Sequence, residues 1–361
     1  MYETTGVYVI AEAGVNHNGS LEMALQLIDV AADAGADAVK FQTFKAENMV
    51  TRTAGKARYQ AETTNHKESQ YEMLKKLELD DEAHEILIEH CQKQGLRFLA
   101  TPFDTQSVDV LAGKFDLPRL KISSGDITNA PLLLKLARTG KPVILSTGMS
   151  TLGEVETALG VLAFGYSNKS EKLSLTAFKN AYCSEAGQKV LKEKVTLLHC
   201  TTEYPAPFAE VDLRSMDTLS AAFGLPVGLS DHTTGIAVSI AAVARGAVVI
   251  EKHFTLDCNL PGPDHRASLE PMELKAMIQS IKQVAMALGK GLKVPGPTES
   301  LNIPIARKSL VALQVIRKGD IFTEQNLGVK RPGSGISPIY YWDLLDKPAD
   351  RDYKQDEVVI Q

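Results

Sequence analysis

Three absences narrow the class of this 361-residue chain before any motif is considered. It has no apolar run close to the roughly 20 residues that a transmembrane helix needs, so we expect no membrane span. Its first residues carry no basic segment ahead of an apolar stretch, which argues against a secretory signal peptide. The four cysteines stand far apart without a CxxC pair, which favours a reducing, cytoplasmic setting over a disulfide scaffold.

A large excess of charge of one sign is also missing. The chain carries 39 basic and 44 acidic residues, a formal net charge of −5. Because nucleic acids and anionic membranes attract basic surfaces, this balance argues against both as partners. A small negative net charge is compatible with a few lysines grouped at one site that bind a small anion. Hydrophobic residues at 44% and charged residues at 23% are typical of a folded globular protein.

Short apolar segments alternate with amphipathic ones over the first two thirds of the chain. Residues 21–35 have the pattern of a helix, with Ser20 as its N-cap and Gly35 as its stop. The segments with the pattern of strands are 7–15, 37–44, 96–103, 119–126, 142–149, 195–202, 226–233 and 248–255. Eight strands alternating with helices predict an α/β fold, the (β/α)8 TIM barrel. A doubly wound sheet is less favoured, because no GxGxxG turn follows the first strand.

Every strand candidate ends in polar residues, for example EAGVNHN, KFQT, SSGD and LSDHT. A strand with a purely structural role does not need polar residues at its carboxyl end. In a TIM barrel, that end is where active sites are built. The endings therefore predict one active site assembled from many strands.

Two breaks in the spacing divide the chain further. The stretch between the fifth and sixth strands exceeds one crossover helix, which predicts a polar, partly helical insertion at about 166–194. Residues 291–304 have the Gly- and Pro-rich composition of an interdomain linker. We therefore expect a catalytic barrel over 1–290 and a second domain over 305–361. This tail is too small to bury a large core, so we expect it to dock on the barrel or on a second subunit.

Histidines stand at the carboxyl ends of the last two strands. Side-chain alternation places Ser230 and His232 on one face of a strand, and Glu251 and His253 on one face of the next. A buried histidine satisfied by hydrogen bonds is the simpler alternative for each. Two histidines together favour a shared divalent metal, and two ligands leave open positions for a Lewis acid that acts on a carbonyl.

Two lysines interrupt apolar strands, which predicts an anion site. Lys40 and Lys121 either lie along the barrel exterior or point inward, where a buried ammonium needs a counter-charge. Hydroxyl donors at neighbouring strand ends complete a set suited to a phosphate and a carboxylate: Thr101, Ser124, Ser146 and Ser230. The strand-end carboxylates Glu12, Asp126 and Glu251 are candidates for proton transfer, or else partners for the lysines.

Motifs in a fixed order point to a family. They are IAEAGVNHNGS, VKFQTFKA, ATPFD, KISSGD, STGMST, LLHCTTEYPAPF, GLSDHT, EKHFTLD and PGPDH, followed by ARKSLVA, KGD and VKRPGSGISP. This ordered set resembles the bacterial sialic acid (N-acetylneuraminate) synthase family, including the close legionaminic acid synthases. The resemblance covers essentially the whole chain outside 166–194.

The resemblance implies a metal-dependent reaction of phosphoenolpyruvate with the open-chain aldehyde of N-acetylmannosamine and water. The products would be N-acetylneuraminate and phosphate, with cleavage of the C–O bond. The resemblance also implies a TIM barrel followed by a small C-terminal antifreeze-like (SAF) domain, in a domain-swapped homodimer. His232 and His253 would hold the divalent metal, expected to be Mn2+ with Mg2+ or Co2+ as alternatives.

The same resemblance gives roles to individual residues. It places phosphoenolpyruvate on Lys40, Thr101, Lys121, Ser124, Ser146 and Ser230. It places the sugar on Glu12, Gln42, Tyr204, Asp264 and Arg331, the last of which would reach the active site of a second subunit. Glu12 and Asp126 are the residues expected to transfer protons.

Three positions depart from the family's pattern. Asp126 stands where a glutamate is usual, Thr202 replaces an asparagine, and Ile305 replaces a phenylalanine near the sugar. The last two bear on the choice of sugar. We therefore keep an alternative, N,N'-diacetyllegionaminate synthase, which uses a 2,4-diacetamido-2,4,6-trideoxymannose.

Three other functions stay open. A Schiff-base aldolase would use Lys40 or Lys121 without a metal. Many barrel hydrolases that use a metal begin with HxH on the first strand, which EAGVNHN does not supply. A non-catalytic carbohydrate-binding protein would depend on residues 305–361 for all ligand binding.

Overall fold

The computed structural model describes residues 6–65, 67–167 and 171–360. The chain divides into two compact units, Met1–Gly289 and Lys290–Gln361. The predicted insertion at 166–194 includes residues 168–170, which lie outside the described residues.

The first unit contains every predicted strand, each over a shorter range. The strands are β1 (Tyr8–Gly14), β2 (Ala38–Thr43), β3 (Arg97–Pro102), β4 (Leu120–Ile122), β5 (Val143–Ser146), β6 (Val195–Cys200), β7 (Val227–Asp231) and β8 (Val249–His253). They pair in parallel in the order β3-β2-β1-β8-β7-β6-β5-β4. β3 and β4, at the two ends of this order, contact each other and close the sheet. The predicted (β/α)8 barrel is confirmed.

Helices follow these strands along the chain. They are α1 (Leu21–Ala34), α2 (Ala46–Met49), α3 (Arg58–Thr63), α4 (Gln70–Lys75), α5 (Asp81–Lys93), α6 (Thr105–Asp109), α7 (Ala130–Arg138), α8 (Leu152–Tyr166), α9 (Leu175–Cys183), α10 (Glu185–Lys194), α11 (Ser215–Phe223), α12 (Ala237–Ala244) and α13 (Pro271–Ala287). α1 begins and ends as predicted: Ser20 Oγ accepts a hydrogen bond from Met23 N, and Gly35 adopts φ 80°. Among the described residues, no helix combines the length and apolar character needed to cross a bilayer.

Single helical turns complete the first unit. A π-helical turn spans Val110–Lys114, and 3-10 turns span Ser124–Asp126, Phe208–Glu210 and His265–Ala267. β4 ends at Ile122, one residue after Lys121, and only Ser123 separates it from the turn at Ser124–Asp126.

Alternation along the strands separates two layers of side chains. Outward-facing residues such as Val39 and Phe41 pack into the main core with the helices. A small apolar layer fills the amino-terminal part of the barrel interior: Ile10, Ala38, Leu99, Ile144, Leu198 and Val249. Gly228 allows this layer to close, because a Cβ there would lie 2.3 Å from the Val249 carbonyl oxygen. The interior becomes polar above this layer, toward the carboxyl ends.

The described part of the predicted insertion forms α9 and α10, which contact α8. Phe178 on α9 meets Phe164 on α8 edge-on, with ring centroids 5.3 Å apart. Gly160 permits this close approach, since a Cβ there would lie 3.0 Å from the Phe178 carbonyl oxygen. The insertion is therefore a helical layer packed into the main core.

The second unit has its own small core. Its elements are α14 (Pro297–Ser300), α15 (Ile303–Ala306), β9 (Ser309–Ala312), β10 (Leu327–Lys330), a 3-10 turn (Pro338–Tyr340) and α16 (Tyr341–Leu344). β9 and β10 pair antiparallel. The predicted linker 291–304 contains α14 and the start of α15. Each of these helices has a proline in its first turn, where the missing N–H costs no hydrogen bond. The antifreeze-like assignment stays a prediction.

Candidate active site

A cavity of about 240 Å³ lies at the carboxyl ends of the barrel strands. The predicted site residues that line it are Glu12, Lys40, Gln42, Thr101, Lys121, Ser124, Ser146, Tyr204, Ser230, His232, His253 and Asp264. The strand endings thus meet at one place, as parallel strands in a barrel require. The structure brings these side chains together, while their individual roles stay predictions.

Four charged side chains form a buried layer across the barrel, which we call the inner charge layer: Glu12, Lys40, Lys121 and Glu251. Lys40 Nζ lies 2.9 Å from Glu12 Oε2 and 3.4 Å from Glu251 Oε2. Lys121 Nζ lies 3.5 Å from Glu251 Oε1. Both lysines therefore point inward, and Glu251 is their shared counter-charge. Parallel pairing sets this geometry, because Glu12 stands opposite Lys40 in the β1–β2 register.

Hydroxyl groups surround the inner charge layer. Lys40 Nζ donates to Thr101 Oγ1 at 3.1 Å, and Lys121 Nζ donates to Ser146 Oγ at 2.6 Å. Ser230 Oγ donates to Glu251 Oε1 at 2.8 Å. The two ammonium groups and these hydroxyls are the donors that an anionic ligand would use.

The two carboxylates of the layer differ in their ionisation. Burial raises the pKa of Glu12 to about 7, although Lys40 opposes that shift. Burial also acts to raise the pKa of Glu251, but Lys121 and Lys40 together hold it at about 2. Among the described residues, Oε2 of each carboxylate contacts the Lys40 ammonium and has no other partner. Glu251 is therefore a permanent counter-ion, whereas Glu12 can gain or lose a proton near neutral pH.

His232 and His253 lie side by side, with ring centroids 5.7 Å apart. His232 Nδ1 donates to the Thr201 carbonyl oxygen at 2.7 Å, which leaves Nε2 with its lone pair. Burial lowers the pKa of His232 to about 4 and that of His253 well below its usual value, so both rings are neutral at pH 7.

These two rings fit a divalent metal with open positions. Neutral imidazole is the metal-binding form, and the buried His253 Nδ1 has no hydrogen-bond partner among the described residues. Within those residues, no group of three or more His, Cys, Asp or Glu side chains has the geometry of a closed metal site. A metal held here would take its remaining ligands from substrate or water.

An aromatic stack covers the histidines. The Tyr204 ring lies 4.2 Å from the His232 ring, centroid to centroid, and the Tyr59 ring lies 4.9 Å from Tyr204. Asp264 lines the same cavity, and burial raises its pKa to about 6 against the opposing charge of Lys40. The stack reaches from β7 to α3, and so joins the strand ends to the β2–β3 connection.

Two predicted site residues lie elsewhere. Asp126 belongs to the turn after β4, where its carboxylate accepts hydrogen bonds from Ser123 Oγ at 2.7 Å and Asn129 Nδ2 at 3.1 Å. Burial raises its pKa. Arg331 belongs to the second unit, where its Nε donates to the Ala306 carbonyl oxygen at 2.9 Å. The structure therefore does not bring Asp126 to the cavity wall, and Arg331 is described only within its own unit.

Sequence reasoning missed the contribution of the β2–β3 connection. This connection adds cavity-lining residues from or near α2, α3 and α4: Met49, Tyr59, Gln60, Gln70, Met73, Leu74 and Leu77. These short helices lie outside the regular alternation of strands and helices, so no sequence pattern identified their residues as part of the cavity.

Cys200 and Thr202, at the end of β6, also line the cavity. Cys200 Sγ lies 3.0 Å from Ser124 Oγ, which also accepts from Gly148 N at 3.0 Å. Gly148 has to lack a side chain here, because a Cβ would lie 2.4 Å from Thr202 Oγ1. Alternation from inward-facing Leu198 would have identified Cys200.

A second buried ion pair, which we call the outer pair, lies on the opposite face of β7 and β8. Lys252 Nζ lies 3.0 Å from Asp231 Oδ2, and neither side chain is exposed. Asp231 also accepts hydrogen bonds from Thr233 N at 2.9 Å and Ser239 Oγ at 2.7 Å. Each residue of the pair directly precedes one of the two histidines in the sequence.

A closed (β/α)8 barrel with charged side chains buried at its carboxyl face has the architecture of a TIM-barrel enzyme. The NeuB family model matches residues 27–293. N,N'-diacetyllegionaminic acid synthase of Campylobacter jejuni is 52% identical over 351 residues, which cover 97% of this chain and 98% of that protein. The enzyme of the same name from Legionella pneumophila is 44% identical over 331 residues, which cover 92% and 87%.

A solved structure is also similar. The N-acetylneuraminic acid (sialic acid) synthetase of Leptospira borgpetersenii matches with a TM-score of 0.65 and 33% identity, covering 82% of this chain and 90% of that one. The chain belongs to the NeuB family. The resemblance seen in the sequence is thereby confirmed.

Proposed function

We propose that this chain is a nonulosonic acid synthase that makes N,N'-diacetyllegionaminate. Its substrates would be phosphoenolpyruvate, 2,4-diacetamido-2,4,6-trideoxymannose and water. The observation that carries this proposal is the 52% identity over nearly the full length to a protein with that activity in its name. N-acetylmannosamine was our first expectation from the motifs, and the relatives favour the alternative.

The inner charge layer supports the phosphoenolpyruvate half of the proposal. Lys40 and Lys121 supply two ammonium groups for the ligand's phosphate and carboxylate, and Thr101, Ser124, Ser146 and Ser230 line the same cavity with hydroxyl donors. An anion that approaches Lys40 competes with Glu12, whose pKa of about 7 lets it become neutral at little cost. Phosphoenolpyruvate would thus replace Glu12 as the counter-ion of Lys40.

His232 and His253 are the residues that would hold a divalent metal, with Mn2+ as our expectation. A metal bound there would polarise the sugar aldehyde as a Lewis acid. The protein's own part is to keep both imidazoles neutral by burial, to fix the His232 tautomer through Thr201, and to cover the rings with Tyr204.

The reaction balances as a condensation followed by hydrolysis. C3 of phosphoenolpyruvate bonds to the aldehyde carbon, and the aldehyde oxygen takes up a proton. Water adds at the electron-poor C2 and loses a proton, which leaves a hydroxyl and the phosphate ester on the same carbon. That hydroxyl then loses its proton as the C2 ketone forms, and the bond between C2 and the ester oxygen breaks to release phosphate. Glu12 is placed to move one of these protons, since it lines the cavity and ionises near neutral pH.

Offering both sugars in parallel tests the proposal. The metal-loaded enzyme is given phosphoenolpyruvate with either the 6-deoxy diacetamido sugar or N-acetylmannosamine, and phosphate release is followed. We expect a higher kcat/KM for the 6-deoxy sugar, and oxygen-18 in the phosphoenolpyruvate bridge should leave with phosphate. A higher value for N-acetylmannosamine would instead identify an N-acetylneuraminate synthase.

The competing functions make different predictions. A Schiff-base aldolase would resist EDTA and would be trapped with its substrate by borohydride. A hydrolase would release phosphate from phosphoenolpyruvate without any sugar. A non-catalytic carbohydrate-binding protein would bind sugar and release no phosphate with any substrate.

We also propose that Arg331 completes the sugar site of a second subunit in a domain-swapped homodimer. Arg331→Ala should then lower turnover while the fold is intact. Mixing Arg331→Ala with His232→Ala should restore part of the activity, because one site in the mixed dimer receives both wild-type groups. Failure to restore activity in dimers shown to exchange subunits would contradict the swapped arrangement.

A further inference from the structure

The cavity has two chemically different sides. The strand ends supply the charged and hydroxyl groups described above. Apolar side chains form another part of the lining, which we call the apolar wall: Val15, Met49, Met73, Leu74, Leu77 and Phe103. The chemical steps proposed above use none of them, so their presence in the lining needs another explanation.

The apolar wall is held firmly in place. Its members belong to one small apolar cluster that is separate from the main core. Phe103 meets Phe44 edge-on, with ring centroids 6.2 Å apart. Ser69 caps α4, which carries two members of the wall. Gly19 packs directly against the end of α4, since a Cβ there would lie 2.3 Å from the Lys76 carbonyl oxygen.

Strand order fixes where the wall stands relative to the histidines. His232 and His253 belong to the ends of β7 and β8, whereas the wall is built on the ends of β1 and β3 and on the connection between β2 and β3. Lys40 and Thr101 lie on β2 and β3 within the barrel, whereas the wall residues Val15 and Phe103 come after the ends of β1 and β3. With phosphoenolpyruvate held by the lysines inside the barrel, we place the far end of a sugar whose aldehyde lies at the histidines against the wall, beyond these strand ends.

Two glutamines that line the same cavity are tied to α3. Gln60 Oε1 accepts a hydrogen bond from Ala57 N at 3.0 Å, which caps the start of α3. Gln70 Nε2 donates to the same oxygen at 3.4 Å. The side chains of the apolar wall itself present only carbon and sulfur.

We propose that the apolar wall binds the C6 methyl group of the sugar and selects against a C6 hydroxymethyl group. This inference rests on the proposed synthase function. A methyl group gains contact area with the wall, whereas a hydroxyl placed against it would exchange water for carbon and sulfur. A hydrophobic pocket distinguishes a group from the same group with an added hydroxyl by about 10² in kcat/KM. We expect discrimination of that order.

Two sugars that differ only at C6 isolate this effect. One is 2,4-diacetamido-2,4,6-trideoxymannose, and the other is its counterpart with a hydroxyl on C6. For the metal-loaded wild type, phosphate release should give a kcat/KM about 10² higher for the deoxy sugar. Met73→Gln should reduce that ratio about tenfold by offering a hydrogen-bonding partner of similar length.

Two further variants guard against misinterpretation. Met49→Gln changes a less buried member of the wall and should also lower the ratio, even if Met73→Gln fails to fold. Met272→Gln makes the same chemical change on the exposed surface of α13 and should leave the ratio unchanged.

The outcomes separate this inference from the proposed function. Equal kcat/KM for the two sugars in the wild type, with phosphate released from both, would overturn the role of the wall and leave the synthase function intact. A ratio that neither wall variant changes would also overturn it. Phosphate release from neither sugar would contradict the proposed function instead.

Discussion

The two buried charge networks of this barrel occupy opposite faces of its sheet and differ in their surroundings. In the outer pair, Asp231 accepts from Lys252, Thr233 and Ser239, and the side chains are fully enclosed. In the inner charge layer, Oε2 of Glu12 and Oε2 of Glu251 both contact the Lys40 ammonium and have no other partner among the described residues. The outer pair is enclosed by protein groups, whereas the charged groups of the inner layer line a cavity that a ligand can enter. Contact with the cavity therefore distinguishes a candidate binding site from a structural ion pair.

Breaking the outer pair should have the largest effect on stability. Lys252→Met leaves the Asp231 carboxylate buried without its counter-charge, which should lower the free energy of unfolding by about 3–5 kcal/mol. Urea unfolding followed by circular dichroism measures this change. The double variant Asp231→Asn, Lys252→Met removes both charges and should recover at least half of the loss. A single-variant loss below about 1 kcal/mol would show that the pair is not sealed from water.

Breaking the inner layer should act on ligand binding and turnover. Lys121→Met removes one of the two ammonium groups offered to phosphoenolpyruvate and should lower kcat/KM by about 10²–10³. Its cost in unfolding free energy should be smaller than that of Lys252→Met, since water in the cavity can solvate Glu251. Steady-state kinetics and urea unfolding on both lysine variants make the comparison. A larger loss of stability for Lys121→Met would reverse the distinction between the two networks.

The pKa of Glu12 allows a sharper test of the inner layer. Phosphoenolpyruvate bound to Lys40 disfavours a charged Glu12, so its pKa should rise above about 7 on binding. Binding near pH 7.5 should then take up a proton, and affinity should weaken by up to about tenfold per pH unit above pH 7. Calorimetry in two buffers of different ionisation enthalpy measures the uptake. Glu12→Gln should abolish it, and uptake that persists unchanged in this variant would assign the proton to another group.

The same shift has a consequence for folding. A carboxyl whose pKa rises from 4.5 when unfolded to about 7 when folded favours the folded state below pH 4.5. That contribution is lost as the pH rises through 7. Glu251, lowered to about 2, works in the opposite direction and loses its contribution as the pH falls from 4.5 toward 2. The two carboxylates of one layer thus favour opposite pH ranges.

The smallest effect is expected at Asp126. The two oxygens of its carboxylate accept from Ser123 Oγ and Asn129 Nδ2 in the turn after β4. Asp126→Asn keeps one acceptor oxygen, and the Ser123 hydroxyl can accept from the new amide N–H, so kcat should fall less than about tenfold. The matched change Glu12→Gln should lower kcat more. Equal losses for the two variants would restore Asp126 as a proton-transfer residue and would require its turn to rearrange on binding.

The fold followed from the sequence because strand alternation and polar strand endings recur along the chain. β1 and β8, for example, lie within the predicted 7–15 and 248–255. The inward orientation of Lys40 was left open, since alternation defines a shared face but not which face meets the core. Register across strands resolved it, by placing Glu12 opposite Lys40.

The apolar wall could not have been predicted in the same way. Met73 lies on a short helix between strands, and short helices there are as compatible with a surface layer as with a cavity lining. The position of Asp126 differs from the expectation for a related reason: a strand-end carboxylate was expected to face the site, but Asp126 lies in a 3-10 turn that follows β4. Its role in proton transfer stays a prediction. The strands that pair in the barrel can be predicted from their sequence pattern, whereas the path of the chain between two strands depends on tertiary contacts.

Gly19 sets how closely α4 can approach the β1–α1 turn, through its contact with the Lys76 carbonyl. Gly19 does not itself line the cavity, and it holds a left-handed backbone at φ 79°. A larger residue there would displace α4 outward as a rigid piece. A substitution in a turn outside the cavity would then change the range of substrates that such an enzyme accepts, without changing any side chain at the strand ends.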